Sequence, residues 1–424
     1  MVNLRLLKEL LLDQCKDFKN FPLGIERENL KSFETVLKAP HAVVISGLRR
    51  AGKSTLLAQI SQKYYEEKDY AYVNFEDDRL LSFDASDFHL LLDMIAELFG
   101  PKKVYFFDEI QNIPHWEIAI RRLIAEGKKI FITGSNASLL SREFGTKLTG
   151  RYLPFELFPF SFREYLQFIN LSVEDFRGGL RTEQKQHLRK SFEQYLEKGG
   201  IPQALLFPEL KIHKILYDDV LYRDIVSRYD VTAVKELREL TAFLLANVGN
   251  PISYNKLKSQ LMLGSVNTVK SFVEYLESAW LFFVISVFDS SVKRQQIASK
   301  KVYGIDTGLI QSLSFRMSEN RGRMLENIVF LELKRRSWQV YYWTSPEGFE
   351  VDFYVKEKNL FIQVCSDLSD KKTRERELRA LLLAKKQFPK ASLLLLLDHE
   401  IEEIVYEGEK ITVQPVAEWL LCEP

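Results

Sequence analysis

Short apolar segments alternate with amphipathic helical segments in the first third of the chain. Strands that alternate with helices predict a doubly wound α/β domain built on a parallel sheet. Residues 4–37 read as helices that lead into this domain. The apolar segments read as buried strands and are HAVVISG (41–47), AYVNFED (71–77), KKVYFFDEIQ (102–111) and KKIFITGSN (128–136). Because ligands of such sheets bind at the carboxyl ends of the strands, we expect the polar residues that follow three of these strands to converge.

The middle of the chain has a helical pattern. Residues 160–235 contain three helical runs, with a turn predicted at GGIPQALL (199–206). Residues 236–290 form a different unit, in which three helices precede the strand LFFVISVF. Asn250-Pro251 and Gly264 separate these helices. Three helices followed by a hairpin predict a winged helix, a shape that binds DNA and often also binds proteins.

The last third of the chain mixes helices and strands. A long helix is predicted at RGRMLENIVFLELKRR (321–336) and a basic helix at residues 371–388. Between them lie three strand-like runs, QVYYWTS, GFEVDFYV and LFIQVCS, and ASLLLLL follows the basic helix.

Composition narrows the class of protein without deciding its partners. Lys plus Arg number 59 against 58 for Asp plus Glu, so any basic surface for nucleic acid must be local. Three widely spaced cysteines form no disulfide framework or metal pair, which fits a reducing, cytoplasmic location. The longest apolar run, LLLLL at 393–397, is too short to span a bilayer, so we expect no membrane partner. The six histidines are scattered, and we predict no metal site beyond magnesium bound with a nucleotide.

The stretch GLRRAGKST (47–55) carries the strongest chemical signal. It matches the phosphate-binding loop G-x-x-x-x-G-K-[ST], and it lies between a predicted strand and a predicted helix, as that loop requires. The loop amides and Lys53 would bind the phosphates of ATP, and the Ser54 hydroxyl would bind Mg²⁺. The predicted nucleotide-binding residues are Gly47, Arg50, Gly52, Lys53, Ser54 and Thr55. Arg49 and Arg50 are unusual in this loop; one can contact the ligand while the other is solvated.

An acidic pair follows the third strand. Asp108 would hold the same Mg²⁺ as Ser54, and Glu109 could polarise the attacking water. Asn136, after the fourth strand, can position that water, or it can be a turn residue after Gly134. The sequence therefore predicts ATP hydrolysis with catalytic roles for Lys53, Asp108 and Glu109.

Several motifs together resemble one family of AAA+-type ATPases of archaea and bacteria. They are GLRRAGKST, VYFFDEIQNIPHWE, FITGSNASLL, KLTGRYLPFELFPFSFREYL, YRDI and VYGIDTGL, in this order. The resemblance implies an α/β, parallel-sheet P-loop ATPase core with N-terminal helices, a helical lid, a winged helix and a C-terminal α/β domain similar to PD-(D/E)xK restriction nucleases. We place these domains at 1–160, 161–235, 236–300 and 301–424.

The resemblance also assigns two further residues to hydrolysis. It favours Asn136 as a sensor of the nucleotide. It implies that Arg151, in LTGRYL, can reach the nucleotide of a neighbouring subunit in a homo-oligomer. The alternative for Arg151 is pairing with a nearby carboxylate, and Arg142, Arg223 and Arg228 compete for the same role.

The nuclease pattern is incomplete in this chain. Glu326 lies on the long helix, and strand alternation puts Glu350 and Asp352 on one face. The next strand should read acid-x-Lys but reads Gln363-Val364-Cys365, which removes a charge and the amine. Lys356 and Lys358 are expected in solvent. We therefore predict that the C-terminal domain does not cleave nucleic acid.

Two basic segments bear on the partner. One spans 371–386; the other lies within 293–301 and comprises Lys293, Arg294, Lys300 and Lys301. They favour an oligomeric, DNA-dependent motor or remodeller that acts on duplex or branched DNA. One alternative is a nucleotide-controlled switch that binds a protein partner, since the third helix of the winged unit carries only Lys270 as a cation. A second alternative is an ATPase-coupled nuclease.

Overall fold

The computed structural model describes residues 3–136, 150–176, 181–314, 321–399 and 403–422. The chain divides into two units, Met1–Phe158 and Pro159–Pro424. The first unit contains the predicted nucleotide-binding segment, and the second contains the helical, winged and C-terminal segments.

The first unit is a parallel sheet of five strands flanked by helices. The strands are β1 (Ala42–Ser46), β2 (Tyr70–Asn74), β3 (Val104–Asp108), β4 (Lys129–Gly134) and β5 (Tyr152–Glu156). The helices are α1 (Leu4–Lys19), α2 (Phe33–Leu37), α3 (Lys53–Tyr64), α4 (Phe88–Phe99) and α5 (Trp116–Ala125). The strand order is β2-β3-β4-β1-β5, and every pair is parallel. The predicted mixed α/β class with a parallel sheet is confirmed.

Burial explains which strands the pattern revealed. Every residue of β1 and β3 is buried, because helices cover both faces of a parallel sheet and the strands must be apolar throughout. Strand β5, YLPFE, was not predicted. It is half-exposed, contains a proline and pairs only with β1 at the sheet edge, where a proline is tolerated.

Helix α1 protects the other edge of this sheet. Leu7, Leu10 and Leu11 are buried in the core. The amide of Gln14 donates to the carbonyl of Asn74 at 3.0 Å, and its oxygen accepts from the Asn74 N–H at 2.8 Å. The side chain thereby satisfies backbone groups of β2 that an open edge would leave unpaired.

The second unit begins with helices. They are α6 (Phe162–Phe168), α7 (Thr182–Lys198), α8 (Pro202–Leu206) and α9 (Ile212–Asp219), and a π-helical turn follows over Val220–Val226. The segment GGIPQALL is a short helix after two glycines rather than only a turn. Pro202 stands at its first position, where the missing N–H costs nothing.

Next come four helices and a small antiparallel sheet. The helices are α10 (Val234–Ala246), α11 (Tyr254–Gln260), α12 (Val266–Ser278) and α13 (Val292–Ile297). The strands are β6 (Pro251–Ile252), β7 (Phe282–Ser286) and β8 (Lys300–Gly304), in the order β6-β8-β7. The three predicted helices and strand β7 are present, and β8 returns antiparallel to β7.

Asp306 explains two glycine-containing motifs of this unit. Its carboxylate accepts from the N–H of Gly200 at 2.6 Å and from that of Leu309 at 2.8 Å, and so caps α14 (Thr307–Leu313). A Cβ on Gly199 would lie 2.1 Å from the same carboxylate, and a Cβ on Gly308 would lie 2.1 Å from the carbonyl of Lys198. The glycine pair at 199–200 and the DTG run at 306–308 are therefore needed for close packing of α7 against α14.

The C-terminal part of the unit is a mixed sheet of six strands. The strands are β9 (Val340–Thr344), β10 (Glu350–Val355), β11 (Leu360–Cys365), β12 (Ser392–Leu397), β13 (Ile404–Tyr406) and β14 (Glu409–Pro415). Its helices are α15 (Arg321–Arg335), α16 (Lys371–Gln387) and α17 (Val416–Leu421). The order is β13-β14-β12-β11-β10-β9, with β11, β12 and β14 parallel to one another. The last two strands and α17 were not predicted.

Glu277 on α12 makes the stability of this unit depend on pH. Burial raises the pKa of Glu277 from 4.5 to about 7, although its carboxylate accepts from the N–H of Val284 at 2.9 Å. A raised folded-state pKa favours the protonated form, so the free energy of unfolding falls as pH rises from 4.5 through about 7. We expect Glu277→Gln to remove ~2 kcal/mol of this pH-dependent loss, allowing for solvent screening.

The measurement is urea unfolding of wild type and variant at pH 5 and pH 8. Glu239→Gln, at an exposed carboxylate on α10, is the control and should keep the wild-type slope. An unchanged pH dependence in Glu277→Gln would contradict the assignment.

Candidate functional site

The loop between β1 and α3 has the geometry of a phosphate cradle. Arg50 and Gly52 adopt left-handed φ values of 64° and 97°, which turn the backbone tightly into α3. The buried Arg27 supports the loop: its guanidinium donates to the carbonyl of Ala51 at 2.8 Å and to that of Phe158 at 2.7 Å. Arg27 has no local motif around it and was missed in the sequence.

Gly47 is required by a close approach of backbone. A Cβ at this position would lie 2.2 Å from the carbonyl oxygen of Leu157, whose own N–H donates to Ser46 at 2.7 Å. We expect Gly47→Ala to displace the loop and to weaken nucleotide binding by at least about tenfold. Binding of a fluorescent ADP analogue measures the effect.

Gly264→Ala serves as the control for that variant, because nothing lies within 4 Å of a Cβ there. Equal affinity of Gly47→Ala and wild type would mean that the loop is not the binding element.

Lys53 begins α3 and is almost fully buried. Its ammonium donates to the carbonyls of Gly47 at 3.2 Å and Leu48 at 3.3 Å. It also forms an ion pair with Glu109 at 3.3 Å. The loop, the lysine and the acidic pair predicted from separate segments therefore meet at one place.

Asp108 lies at the end of β3 in a network of hydroxyl groups. The hydroxyl of Tyr72 donates to one carboxylate oxygen at 2.9 Å, and that of Thr133 donates to the other. The Ser54 side chain also hydrogen-bonds Asp108. Burial raises the pKa of Asp108, the charge of Glu109 adds to this effect, and the three hydroxyls oppose it.

Glu109 is in a left-handed conformation, with φ 51°. Its carboxylate accepts from the amide of Gln111, and its N–H donates to the hydroxyl of Thr133 at 2.9 Å. Burial alone would raise the pKa of Glu109, but Lys53, Gln111 and Arg49 hold it below its ordinary value. The carboxylate is therefore charged at neutral pH and able to accept a proton.

The remaining predicted residues of this site differ in burial and in their contacts. Asn136 is buried, and its backbone carbonyl accepts from the Ser46 hydroxyl at 3.3 Å. Thr55 lies in the first turn of α3. Arg49 pairs with Glu76 at 3.1 Å, while Arg151 is exposed.

Three other arginines compete with Arg151 for its predicted role. Arg142 falls outside the described residues, and Arg223 and Arg228 belong to the second unit. The predicted role of Arg151 stays a prediction.

Tyr72, Thr133 and Gln111 were missed as neighbours of the acidic pair. Tyr72 and Thr133 lie on the strands that flank β3, and the register pairs Asn74 with Asp108. Their only sequence signal is a hydroxyl near a strand end. Strand order decides whether that hydroxyl reaches the acid.

The donor set at the loop fits Mg²⁺. Ser54 and Asp108 offer a hydroxyl and a carboxylate, which are hard oxygen ligands, and Mg²⁺ takes its other ligands from water and phosphate. In the described part of the chain, no group of three His, Cys, Asp or Glu residues is arranged to hold a metal ion. Magnesium at the loop would bind together with the nucleotide, because the phosphates would supply ligands that Ser54 and Asp108 do not.

The C-terminal acidic residues surround Lys301, which we assigned to a basic surface segment from the sequence. The ammonium of Lys301, on β8, lies 2.8 Å from Glu326, 2.7 Å from Glu350 and 3.0 Å from Asp352. The Lys301 side chain is 1% exposed. The prediction that Lys301 belongs to a basic surface is therefore wrong, because three carboxylates draw it into the protein.

Lys301 and Glu326 each shift the pKa of the other. Burial would lower the pKa of Lys301, but the carboxylates, Glu326 first, hold it well above its ordinary value. Burial raises the pKa of Glu326 to about 7, and the neighbouring Asp352 adds to this. The hydroxyl of Tyr303 donates to Glu326 at 2.6 Å. Lys301 therefore stays charged and pairs with the carboxylates around it.

Gln363 and Cys365, on the neighbouring strand β11, lie beside this cluster. Gln363 accepts from the N–H of Asp352 at 3.1 Å and donates to Glu377, which the sequence analysis did not single out. Burial raises the pKa of Cys365 to about 11, and its thiol donates to the carbonyl of Asp367 at 3.0 Å. Lys356 and Lys358 are exposed, as predicted.

A cleft of about 810 Å³ opens over this cluster. Its lining carries more carboxylates than cations; the charged residues are Arg323, Glu326, Glu347, Glu350, Asp352, Asp367, Asp370, Arg376 and Glu377. Such a cleft repels phosphate.

Several cations of the two basic segments are bonded within the protein and are not available as a basic surface. Lys300 donates to the Ser286 hydroxyl at 2.9 Å, and Arg294 pairs with Asp289 at 3.2 Å. On α16, Arg376 pairs with Glu377 and Lys386 pairs with Glu407. Lys371 and Lys372 are exposed at the start of α16.

No helix within the described ranges combines the length and the apolar character needed to cross a membrane.

Solved structures with similar folds include ATPases. The Walker-type ATPase PABY2304 of Pyrococcus abyssi is 15% identical, with 68% of this chain and 95% of that chain covered and a TM-score of 0.42. The RuvB Holliday junction branch migration motor of Thermotoga maritima is 18% identical, with 66% and 93% covered and a TM-score of 0.29.

Sequence relatives cover nearly the whole chain. Residues 39–166 match an AAA domain, and residues 189–320 and 321–419 match two domains of unknown function, DUF8612 and DUF4143. The uncharacterized protein MJ1544 of Methanocaldococcus jannaschii is 35% identical, with 96% of this chain and 91% of the relative covered. An uncharacterized protein of Haemophilus influenzae is 30% identical, with 89% and 94% covered. The chain therefore belongs to the family of these archaeal and bacterial proteins, and it carries an AAA domain of the P-loop ATPase type followed by the two domains of unknown function.

Proposed function

We propose that the protein is a Mg²⁺-dependent ATP hydrolase. The observation that carries this proposal is the convergence of Lys53, Asp108 and Glu109 beside the phosphate loop, with an ion pair of 3.3 Å between Lys53 and Glu109. A charged acid next to the expected position of the γ-phosphate, with a buried lysine between them, is the arrangement that hydrolysis needs.

Nucleotide binding would rearrange this ion pair. The phosphates compete for the Lys53 ammonium, because a polyanion attracts it more strongly than one carboxylate does. Glu109 then loses its partner and can accept the proton of an attacking water, since Lys53 no longer satisfies its charge. Ser54 and Asp108 would hold Mg²⁺, which neutralises phosphate charge when it is bound.

Asn136 and Arg151 take the outer roles in this proposal. The buried Asn136, at the end of β4, orients the water or contacts the γ-phosphate. The exposed Arg151 acts on a neighbouring copy in a homo-oligomer, where an arginine stabilises the charge of the transition state. Hydrolysis by a dilute monomer would then be slow.

We further propose that hydrolysis drives work on DNA. Within residues 234–304, the three helices α10 to α12 precede the antiparallel strands β7 and β8, which is the order of a winged helix. The exposed lysines at the start of α16 can contact phosphates. The acidic cleft over Lys301 favours a different candidate, a nucleotide-controlled switch with a protein partner, because it repels DNA.

The experiment compares ATP hydrolysis with and without duplex, single-stranded and four-way branched DNA, at low and moderate salt. Lys53→Ala is the blank. Stimulation by one form of DNA supports the motor. A flat response with activity above the blank rejects the motor and favours the switch.

We propose that the C-terminal domain, similar to PD-(D/E)xK nucleases, does not cleave DNA. Lys301 is held by three carboxylates and is 1% exposed, so its amine is not free to act on a substrate. Incubation of the full chain with the same DNA forms and Mg²⁺ or Mn²⁺ should give no product. Product that disappears in Asp352→Asn would overturn this.

A further inference from the structure

A cavity of about 410 Å³ lies in the first unit beside the edge strand β2. None of the residues that line it belongs to the phosphate loop. Its walls come from α1, β2 and α4 and are mostly apolar, with Leu11, Phe18, Tyr70, Tyr72, Ile95 and Phe99 among them. This volume lies within the range of small-molecule binding sites. Its aromatic rings favour a flat, ring-containing ligand.

One wall of the cavity carries a buried lysine whose ammonium is bonded to backbone carbonyls rather than to a carboxylate. Lys102 is 5% exposed, and its ammonium donates to the carbonyls of Lys68 at 2.9 Å and Glu67 at 3.4 Å, two residues that line the same cavity. No ion pair within the described ranges includes Lys102. Burial lowers the pKa of Lys102, although the negative charges of Glu67 and Asp69 oppose this shift. A buried charge is unfavourable unless an opposite charge pairs with it.

The cavity is connected to the acidic pair through one side chain. The ring of Tyr72 lines the cavity and stacks on Phe18 at 3.8 Å, with the planes 8° apart. The hydroxyl of the same Tyr72 donates to Asp108 at 2.9 Å. A ligand that packs against this ring would hold the hydroxyl on Asp108 and occupy an oxygen that Mg²⁺ would otherwise use.

We propose that this cavity binds a small aromatic anion, with Lys102 as its counter-ion, and that binding slows ATP hydrolysis through Tyr72. The site lies outside the nucleotide cradle, and its regulatory effect rests on the proposed ATPase function. Its ligand class follows from charge and shape: an acidic group for Lys102 and a ring for the aromatic wall.

The test uses two matched probes with the full chain. 8-Anilinonaphthalene-1-sulfonate is an aromatic anion, and N-phenyl-1-naphthylamine has the same rings without the acid. Fluorescence titration of wild type should show one saturable site for the anion. Lys102→Met should weaken binding of the anion by at least about tenfold and leave the neutral probe within about twofold. The control is Lys103→Met, at the exposed neighbouring lysine, which should bind both probes as wild type does.

A cavity-filling variant separates this site from other apolar surface. Ala71→Phe, at a small residue of the lining, should abolish binding of both probes. If Ala71→Phe does not fold, the Lys102→Met comparison decides alone, because that substitution removes a charge without adding volume to the wall. Equal binding of the anion to wild type and Lys102→Met would overturn the site.

The coupling is tested by ATP hydrolysis with the anion at saturation. Wild type should slow at least about twofold, and Tyr72→Phe should bind the anion but lose the response. An unchanged wild-type rate at saturation would overturn the coupling. The fluorescence titration does not depend on hydrolysis, so a failure of the proposed ATPase would leave the binding result readable.

Discussion

Glu109→Gln should hydrolyse ATP about a hundred- to ten-thousand-fold more slowly than wild type, the range expected for loss of a general base. Glutamine keeps the shape of the side chain and can still accept from Gln111, but it cannot take a proton from water. In the structure Glu109 is charged and lies 3.3 Å from Lys53, so its removal also frees the lysine for phosphate. We therefore expect nucleotide affinity to hold or rise while kcat falls.

Steady-state hydrolysis and binding of a fluorescent ATP analogue measure the two effects separately. Glu126→Gln, at the end of α5, is the matched control, since its carboxylate is exposed. If Glu109→Gln kept wild-type kcat, Glu109 would not be the base. A loss of binding without a change in kcat would make it a structural residue of the loop.

Lys301→Met should lower the free energy of unfolding of the second unit by about 3–5 kcal/mol, the usual cost of breaking a buried ion pair on one side. The substitution leaves Glu326, Glu350 and Asp352 together without a cation, and all three lie within 3.0 Å of the lost ammonium. Urea unfolding of the full chain measures the change. Lys300→Met, at the half-buried neighbour that bonds Ser286, is the control and should cost much less.

The pH dependence gives this prediction a second readout. Burial already raises the folded-state pKa values of Glu326 and Glu350, and without Lys301 they rise further above their unfolded values. A raised carboxyl pKa stabilises the fold at low pH and loses that contribution as pH increases. The deficit of Lys301→Met should therefore be larger at pH 8 than at pH 5, and a second change, Glu326→Gln, should recover part of it. A deficit below about 1 kcal/mol would show that the cluster is solvated like a surface pair.

Local patterns were sufficient for most of the ATPase domain. The strands β1, β3 and β4 are almost continuous apolar runs because both faces of the sheet are covered, and that pattern is visible in the sequence. The phosphate loop and the Asp108-Glu109 pair are contiguous motifs, and each directly follows a strand. Strand β5 escaped because an edge strand needs no such pattern, and the fold alone shows that it pairs with β1.

The C-terminal cluster shows the opposite case. Glu350 and Asp352 were placed on one face correctly from strand alternation, and both reach Lys301. The lysine itself could not be assigned, because residues 300 and 301 read as a basic pair. In the structure, residues 300 and 301 lie on strand β8, which pairs with β7. Successive side chains of a strand point to opposite faces, so Lys300 contacts Ser286 while Lys301 contacts Glu326 and the other carboxylates.

The sequence by itself determined the parallel-sheet ATPase core, the phosphate loop and the acidic pair, because each depends on residues that are close along the chain. Only the tertiary structure decided which side chains complete these sites. These side chains come from segments that are far apart in sequence: Arg27 contacts the phosphate loop, Tyr72 contacts Asp108, and Lys301 contacts the C-terminal carboxylates. Strand order and register bring such groups within hydrogen-bonding distance, and no local spacing encodes either of them.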